Sequence, residues 1–560
     1  MKKGILITIL VLVTIFIMLA LAAGFLYMQF TREPYIPDQS FLKIDFAGEI
    51  VDNDTAALSK KDSIRDYWYH IKRAKIDNRI KGILLKISFL GTGFAKADDL
   101  GRSLKDFQKS GKKVYAYIEG GGILEYYLAT YADKVYVFKG GDLFLKGLAS
   151  EAMFLKNTLS KLGIHADMFH IGKYKTAYNM FTQDHMTPPH KEAIAKLLND
   201  IYDHTLKQIA ENRKVDVETV KAIFEDSPIS NETYKDAKLI DGIVYEDEVL
   251  DSKFDYELVN FHTYTQTTNP RPFRGSNKIA LIFASGEIHS GKSGGKSIFG
   301  GEIMGSDTVA GQLQAVRKNS SVKAVVLRVD SPGGSALASE VIRREAELLA
   351  KKKPLVISMS DLAASGGYWI SMSSPHIMAL PQTITGSIGV VAGKFVLKDL
   401  YEKVGINKEI TKTSKYADMF TDYRSFSQDE VEKMNTYMNK AYQSFLDIVS
   451  KNRKMEPEAV DKIAQGRVWS GISALELNLV DKLGGLDEAI DEAKKLANIP
   501  PFEKVGIRIY PREKTLMDFI LELMGTKAKA VEPLNTLEAQ ISRYEHFFPA
   551  LLLPYKIVIH

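Results

Sequence analysis

Length, composition and charge exclude several classes of protein before any motif is considered. The chain has 560 residues, which exceeds one ordinary hydrophobic core, so we expect two or more domains. It contains no cysteine, which excludes a cysteine nucleophile, a thiolate metal site and a disulfide. The formal net charge is only +5, with basic and acidic residues interspersed, so we expect no concentrated basic surface for nucleic acid.

The N-terminal segment predicts a membrane anchor. Lys2 and Lys3 precede residues 4–28, which contain no charged residue. As a helix this run would be about 37 Å long, enough to cross a bilayer. A cleaved signal peptide is the alternative, because "LALAAGF" can mimic a cleavage site. We favour an uncleaved anchor whose N-terminus lies in the cytoplasm by the positive-inside rule, with the rest of the chain outside the cytoplasm.

The two halves of the chain resemble each other. "KGILLKISFLGTG" from Lys81 matches "KAVVLRVDSPGGS" from Lys323, an offset of 242 residues (323 − 81). The same offset relates "KLGI" at Lys161 to "KVGI" at Lys403 without a gap. A stretch rich in turn residues, 267–277, separates the halves. The predicted units are an anchor at 1–28, a first repeat at 29–270, a second repeat at 271–505 and a C-terminal tail at 506–560.

Within each half, short apolar runs alternate with amphipathic stretches. In the second half, the patterns predict buried strands at residues 278–284, 324–330 and 354–360. They predict helices at residues 338–352 and 429–454. This alternation is typical of an α/β fold with mostly parallel strands.

Two glycine-containing turns each follow a predicted strand and precede a predicted helix. In "RVDSPGGS", Gly333 and Gly334 can direct backbone N–H groups towards an oxyanion, and the alternative is an ordinary turn. In "MSDLAASGGYWIS", Ser365 lies at a helix N-terminus beside the N–H of Gly366, which suits either a nucleophile or a helix cap. The equivalent position in the first half is Ile123 (365 − 242), so the fold itself does not require a hydroxyl there.

A serine nucleophile needs a general base, and no histidine lies in a recognisable triad motif. Lysine is the other choice, because burial among apolar groups lowers its pKa. "IGKYKTAYNMF" offers Lys173 and Lys175, and "KTSKYADMF" in the second half offers Lys415. The two halves align here only with a gap of three residues, so the register does not choose between these segments. Each lysine could also be an ordinary solvated side chain.

Four motifs together resemble peptidase family S49, the membrane-anchored serine–lysine proteases. They are "RVDSPGGS", "DLAASGGYW", "TGSIGV" and "GKYKTA". The resemblance is to the family's long, two-repeat form and extends from the anchor to about residue 500. It implies an α/β protein with tandem ClpP/crotonase-like domains preceded by one transmembrane helix. It also implies that Ser365 is the nucleophile and Lys175 the general base, preferred to Lys415 because "GKYKTA" is the closer motif match.

The resemblance assigns three further residues to the site. Ser387 in "TGSIGV" matches the family's serine that hydrogen-bonds the lysine amine, and Gly334 and Gly366 match the oxyanion positions. The first-half equivalent of Ser387 is Leu145 (387 − 242), so both hydroxyls belong to the second half alone. We therefore predict a composite site, with a lysine from the first repeat and serines from the second.

The resemblance also implies a biological setting. It predicts a homo-oligomer, with a tetramer as the expected size, in the bacterial inner membrane, with catalytic domains on the periplasmic side. The expected substrates are remnant signal peptides and other apolar peptides, paired in extended form beside "SPGGS". The expected partners include the lipid bilayer, through residues 4–28, and no nucleic acid, and the reaction needs no metal or organic cofactor.

Two other functions are weighed against the protease. One is an inactive scaffold that binds membrane proteins or peptides, and the other is an acyl-CoA enzyme of the crotonase type. The anchor and the set of Ser365, Lys175 and Ser387 argue against both. In the tail, residues 513–525 predict an amphipathic helix, whereas residues 547–560 are too short and too interrupted by proline to span a bilayer.

Overall fold

A computed structural model describes most of both predicted repeats. The described residues are 33–54, 61–250, 256–295, 301–512 and 550–552, together with 14–15 and 17–18. Within these ranges no helix is both long and apolar enough to cross a membrane. Outside them lie most of the predicted anchor at residues 4–28, the predicted tail helix at 513–525 and most of residues 547–560.

The first half alternates strands and helices. Its strands are β1 (Ser40–Glu49), β2 (Ile80–Gly91), β3 (Lys113–Gly120), β4 (Lys134–Phe138), β5 (His165–Ile171), β6 (Gly242–Val244) and β7 (Glu257–Asn260). Its helices are α1 (Ile64–Ile76), α2 (Phe94–Gln108), α3 (Ile123–Ala129), α4 (Lys156–Leu162), α5 (Asn179–Thr182), α6 (Pro188–Arg213), α7 (Val217–Asp226), α8 (Asn231–Asp236) and α9 (Phe261–Thr265), with a 3₁₀ turn at Glu246–Glu248.

Six of these strands form one parallel sheet in the order β6-β4-β3-β2-β1-β7. The centre of β2 is almost continuously buried, because helices cover the faces of a parallel sheet. Helix α1 begins where the Ser63 hydroxyl accepts the Asp66 N–H, and it buries Tyr67 and Ile71 in this core. Strand β5 does not join this sheet.

The second half has the same alternation. Its strands are β8 (Lys278–Ser285), β9 (Glu287–His289), β10 (Ile303–Gly305), β11 (Val322–Ser331), β12 (Gly333–Ser335), β13 (Leu355–Ala364), β14 (Ile377–Ala379), β15 (Ile384–Gly386), β16 (Val390–Val396), β17 (Val468–Ser470), β18 (Lys482–Leu483), β19 (Gly506–Tyr510) and β20 (Ala550–Leu552). Its helices are α10 (Ser306–Lys318), α11 (Ala336–Ala350), α12 (Gly366–Ser371), α13 (Lys398–Lys403), α14 (Gln428–Arg453), α15 (Pro457–Ile463), α16 (Gly471–Glu476) and α17 (Leu486–Leu496).

The strands and helices predicted for the second half all occur. The three predicted strands are β8, β11 and β13, which pair in parallel as β13-β11-β8, and the two predicted helices are α11 and α14. Strand β13 continues four residues past its predicted end, to Ala364. Strand β19, which the sequence assigned to the C-terminal tail, pairs with β8 and so belongs to the sheet of the second repeat.

A third sheet combines strands from both halves, in the order β10-β9-β12-β20-β16-β5. Strand β5 of the first repeat pairs antiparallel with β16 of the second over seven residues, from Val390 with Ile171 to Val396 with His165. The predicted boundary at residue 270 therefore divides the sequence into two repeats, but a strand of the first repeat belongs to a sheet of the second. This pairing carries the segment that follows β5, including Lys175, into the second repeat.

Candidate active site

Ser365 occupies a strained turn between β13 and α12. Its backbone has φ 57° and ψ −112°, a conformation that non-glycine residues adopt rarely and at a cost of about 1–3 kcal/mol. The strand before it is held in place, since the Ser365 N–H donates to the Gly386 carbonyl at 2.8 Å. In the described part of the chain, the Ser365 hydroxyl makes no capping bond to α12, so the helix-cap interpretation is wrong. The Ser365 hydroxyl is instead buried and available to a partner outside the helix.

Lys175 reaches this hydroxyl from the first repeat. Its Nζ lies 2.7 Å from Ser365 Oγ and 3.0 Å from both the hydroxyl and the carbonyl oxygen of Ser387. The loop that carries Lys175 follows β5 and is tied to the second repeat by the Tyr174 N–H, which donates to the Gln465 carbonyl at 2.8 Å. The resemblance implied that these three side chains share a site, and the structure brings both serine hydroxyls within hydrogen-bond distance of the Lys175 amine.

The surroundings of Lys175 favour its neutral form. The side chain is completely buried, and no carboxylate among the described residues forms an ion pair with it. Burial lowers the pKa of the Lys175 amine well below its ordinary value, because the charged form loses its hydration. A neutral amine has two N–H groups and one lone pair. The two N–H groups can bond the two Ser387 oxygens, which leaves the lone pair directed at Ser365.

Ser387 is placed by the same sheet that places Ser365. Strands β13 and β15 are neighbours, and Ala364 pairs with Gly386, so each serine is the first residue after a paired position. Ser387 is fully buried with φ 52°, and its N–H donates to the Arg467 carbonyl at 2.7 Å. The carboxyl ends of two adjacent strands thus present two hydroxyls side by side.

Gly334 and Gly366 lie against each other beside Ser365. A Cβ added to Gly366 would lie 3.2 Å from the Gly334 nitrogen and 2.7 Å from the Ser339 hydroxyl. Gly334 has φ +150°, and a Cβ there would lie 2.2 Å from the Ile288 carbonyl oxygen. Gly334 therefore requires glycine, a side chain at Gly366 would crowd its neighbours, and the two backbones adjoin each other next to Ser365. The described residues 550–552, in β20, pair antiparallel with β12 at this same edge.

The structure does not bring Lys415 to the site. Its side chain is 68% exposed and forms an ion pair with Asp429, whose hydrogen bond raises the pKa of Lys415. That preference is the opposite of what a general base needs at neutral pH. Lys173 is also exposed and lies over the ring of Tyr174. The solvated interpretation is therefore correct for these two lysines and wrong for Lys175.

In the first repeat, the equivalent turn carries apolar side chains in place of the two serines. Ile123 and Leu145, at the positions of Ser365 and Ser387, are buried in the first hydrophobic core. The Glu125 carboxylate accepts the N–H groups of Leu90 at 2.7 Å and Gly122 at 2.8 Å. The backbone donors of this turn thus already bind an internal carboxylate.

A cavity of about 2080 Å³ lies between the halves and reaches Gly334 and Ser335 of β12. Much of its wall is apolar and comes from both repeats. The apolar residues include Phe144, Met153, Phe154, Met180, Phe181 and Phe395. Charged residues also line it, and among them are Lys96, Asp330 and Asp361, which the sequence interpretation missed. Asp330 stands in "RVDSPGGS" and Asp361 in "MSDLAASGGYWIS". An acidic residue within each of these small-residue turns could have indicated that both aspartates lie near the site.

Known proteins resemble this chain over most of its length. The sequence profile of peptidase family S49 matches residues 106–258 and 347–500, once in each half. "Serine protease SPPA, chloroplastic" of Arabidopsis thaliana is 34% identical over 505 residues, covering 88% of this chain and 74% of its own. "Protease 4" of Salmonella typhi is 32% identical over 528 residues, covering 88% and 83%. "Protease 4" of Haemophilus influenzae is 32% identical over 468 residues, covering 79% and 74%.

Among solved structures, a ClpP1 mutant from Listeria monocytogenes matches 38% of this chain and 94% of its own, with 12% identity and a TM-score of 0.25. That likeness is too low to assign a fold, so the ClpP/crotonase-like fold stays a prediction. The α/β architecture itself is given by the sheets described above. The two profile matches and the long relatives decide the classification, and on those grounds this chain, with two copies of the domain, belongs to peptidase family S49.

Proposed function

We propose that this serine protease is a membrane-anchored endopeptidase that cleaves apolar peptides, including remnant signal peptides, outside the cytoplasm. Ser365 acts as the nucleophile, Lys175 as the general base and Ser387 as the residue that orients the lysine. The observation that carries the proposal is the 2.7 Å separation of Lys175 Nζ from Ser365 Oγ in a fully buried site. Nucleophile and base at hydrogen-bond distance are the minimum requirement for this chemistry.

The first half of the reaction acylates the enzyme. Neutral Lys175 accepts the hydroxyl proton as Ser365 Oγ bonds to the substrate carbonyl carbon, and the carbonyl electron pair moves onto oxygen. The N–H groups of Gly334 and Gly366 stabilise that oxyanion, which is the kind of interaction that is strongest in the transition state. The C–N bond then breaks, and the Lys175 ammonium returns its proton to the departing amine.

The second half releases the acyl group. Lys175, neutral again, removes a proton from a water molecule that attacks the ester carbonyl carbon. The bond to Ser365 Oγ breaks, and the serine oxygen recovers its proton from Lys175. Ser387 holds the amine through both steps, because its hydroxyl and carbonyl oxygens lie 3.0 Å from Nζ and can accept N–H groups from the neutral amine or from the ammonium.

Two features support an extended, apolar substrate. Most of the aromatic and methionine side chains that line the cavity come from the first repeat, whereas the oxyanion glycines come from the second. The β12 edge already accepts an extended segment, because residues 550–552 pair with Gly333–Ser335. Strand addition supplies affinity through the backbone, and the apolar wall supplies the selection of side chains.

The structure also supports the proposed homo-oligomer. Within one chain, β16 of the second repeat pairs with β5 of the first. The 242-residue offset relates β16 to residues 148–154 and β5 to residues 407–413. In the described part of the chain neither segment is a strand, and all of residues 407–413 are exposed. We propose that they pair between neighbouring copies and close a ring, for which four copies is the expected number.

Ser365→Ala tests the activity, with the full chain purified in detergent. Cleavage of an apolar reporter peptide should fall to background, whereas the matched variant Ser444→Ala, on the exposed face of α14, should cut at the wild-type rate. An acidic reporter of the same length should be cut much more slowly by the wild type. Cleavage by the Ser365→Ala protein would show that the nucleophile is assigned wrongly.

Fractionation tests the anchor. The wild type should sediment with membranes, and a variant without residues 4–28 should appear in the soluble fraction. Protease added to intact spheroplasts should digest the catalytic domains if they lie outside the cytoplasm. Retention of the deletion variant in the membrane, or protection of the domains, would contradict the proposed location.

Cross-linking tests the ring, and the chain suits it because it has no cysteine of its own. The internal pair Ala392 with Phe169 corresponds to Ser150 with Thr411 between copies. Ser150→Cys/Thr411→Cys should form intermolecular disulfides that end at a closed oligomer, and each single variant should give dimers at most. An oligomer of unchanged native mass without a disulfide between these positions would contradict this interface.

A further inference from the structure

Three charged side chains meet at the wall of the cavity where the two repeats join. Lys96, in the first turn of α2, lies with its Nζ 2.7 Å from an Asp330 oxygen and 3.3 Å from an Asp361 oxygen. Lys96 belongs to the first repeat and is only 8% exposed, whereas both aspartates belong to the second repeat. A nearly buried ammonium is thus shared by two carboxylates across the junction.

The two carboxylates stand near the ends of β11 and β13, the strands that lead into the active site. Asp330 is four residues before Gly334, and Asp361 is four residues before Ser365. Asp330 Oδ1 also accepts the Leu362 N–H at 3.0 Å, which ties β11 to β13 at this point. Lys96 therefore holds the end of β11, which leads to Gly334, close to the end of β13, which leads to Ser365.

The backbone of α2 adds to the same contact. The N–H groups of Gly93 and Lys96 donate to the two oxygens of Asp361 at 3.0 and 2.9 Å. Asp361 thereby caps a helix of the other repeat, where the positive end of the helix dipole favours a carboxylate. Although burial opposes the charge, Asp330 and Asp361 raise the pKa of Lys96, so the bridge stays ionised. This buried group is thus one of the contacts that fix the first repeat to the second, together with the pairing of β5 with β16.

The arrangement occurs once, on the side that carries the nucleophile. The 242-residue offset takes Asp330 to Ser88, Asp361 to Glu119 and Lys96 to Ala338. The reciprocal positions therefore lack the lysine and one carboxylate, and Glu119 forms an ion pair with Lys86 instead. The ion pair thus occurs only beside the turn that has Ser365 and not beside the equivalent turn that has Ile123. This distribution is expected of a group that serves the active site rather than of one that only joins the repeats.

We propose that Lys96 is a positioning residue of the active site, which sets the separation between the oxyanion glycines and Ser365 by bridging Asp330 and Asp361. Its ammonium pairs with these two carboxylates, whereas the Ser365 hydroxyl is contacted by Lys175, so Lys96 acts on the reacting atoms only through the aspartates. The inference rests on the proposed function, because it assumes that Ser365 and Gly334 act in one reaction. The first repeat then supplies two lysines to the site: Lys175 is the base, and Lys96 forms with Asp330 and Asp361 an ion-pair cluster that we call the brace.

The expected effect is on the rate of the chemical step. A misplacement of about 1 Å in a reacting geometry lowers a rate by as much as about 100-fold. Lys96→Met should therefore lower kcat by about 10- to 100-fold and leave KM within about twofold. The shape of the pH–rate profile should not change, because Lys175 is still the base. Labelling of Ser365 by a fluorophosphonate should slow by a factor similar to that for kcat.

The test compares four full-length proteins in detergent: wild type, Lys96→Met, Lys96→Arg and the control Lys105→Met, from the last turn of the same helix. Lys96→Arg should keep most of the activity, because a guanidinium can bridge two carboxylates, and Lys105→Met should match the wild type. Each kcat is referred to the folded fraction, measured by thermal melting. Since Lys96→Met leaves two carboxylates without their cation, a second variant, K96M/D330N/D361N, removes that penalty and should remain slow.

The outcomes separate this inference from the proposed function. Wild-type kcat in the folded fraction of Lys96→Met, or full recovery in K96M/D330N/D361N, would reduce Lys96 to a purely structural role and overturn the inference. A shifted pH limb in Lys96→Met would overturn it as well, since it would implicate Lys96 in proton transfer. If Ser365→Ala still cleaved the reporter, the proposed function itself would fail, whatever the result for Lys96.

Discussion

Replacing Lys175 with methionine tests the composite site most directly. Methionine keeps most of the buried volume and removes the amine, whose Nζ lies 2.7 Å from Ser365 Oγ. A positioned general base contributes about 10²- to 10⁴-fold to a rate, or about 2.7–5.4 kcal/mol at 1.36 kcal/mol for each factor of ten. Among the described residues, no other titratable side chain hydrogen-bonds the Ser365 hydroxyl, so we expect a loss near the upper end of that range.

The same substitution should stabilise the fold at neutral pH. Burial lowers the pKa of Lys175 in the folded state, whereas the unfolded lysine has an ordinary value near 10.5. Below that unfolded value the unfolded state binds a proton that the folded state holds less tightly, so the wild type is penalised. The melting temperature of Lys175→Met should therefore exceed that of the wild type at pH 7, and the difference should shrink as the pH approaches 10.5.

The assay measures kcat at saturating apolar peptide, in detergent, from pH 5 to pH 10. The wild-type rate should rise with pH along a limb that lies well below 10.5, because the neutral amine is the active form. Lys415→Met is the matched control, since that side chain is 68% exposed and paired with Asp429, and it should keep the wild-type rate. More than about 10% of the wild-type kcat in Lys175→Met, or a large loss in Lys415→Met, would refute the assignment of the base.

Three further changes test the rest of the site. Ser387→Ala should lower kcat by about 10- to 100-fold at constant KM, less than Lys175→Met, because the Ser387 carbonyl still holds the amine at 3.0 Å; an unchanged kcat would remove Ser387 from the mechanism. Gly366→Ala should lower kcat by about 10²- to 10³-fold, since its Cβ would press on the Gly334 nitrogen and displace an oxyanion donor. Steady-state kinetics measure this loss, and a melting curve shows whether the protein instead unfolds. Deletion of residues 547–560 should lower KM for peptides, because residues 550–552 occupy the β12 edge that the substrate is proposed to use; an unchanged KM, with deletion of residues 555–560 as the control, would contradict that mode of binding.

Much of the fold could be predicted because its signals are local. The middle of β11, residues 324–327, is an unbroken apolar run, since a strand of a parallel sheet is buried on both faces, and such runs are visible without a partner. The repeat was visible because its two copies keep an offset of 242 residues. Ser365 stood out for the same reason: comparison with Ile123 showed that the fold does not need a hydroxyl at this turn.

The sequence favoured Lys175 as the base only through the closer motif match of "GKYKTA", and no physical property of the chain separated it from Lys415. Lys175 and Lys415 stand in similar short motifs, and the alignment of the repeats slips by three residues between them. Only the antiparallel pairing of β5 with β16 decides, because it carries the segment after β5 into the other repeat and leaves Lys415 in solvent. Burial then lowers the pKa of one lysine, whereas a surface carboxylate raises that of the other.

The brace formed by Lys96, Asp330 and Asp361 shows the same division. Asp330 and Asp361 stand in the two turn motifs, but the motifs do not indicate which cation they bind, and the segment around Lys96 does not distinguish it from a solvated lysine. Residues 96 and 361 come together only when α2 of the first repeat docks against the ends of β11 and β13. Local sequence thus determined which strands, turns and reactive side chains exist, because these depend on neighbours along the chain. Tertiary structure decided which of them share a site, because burial and charge pairing depend on neighbours in space.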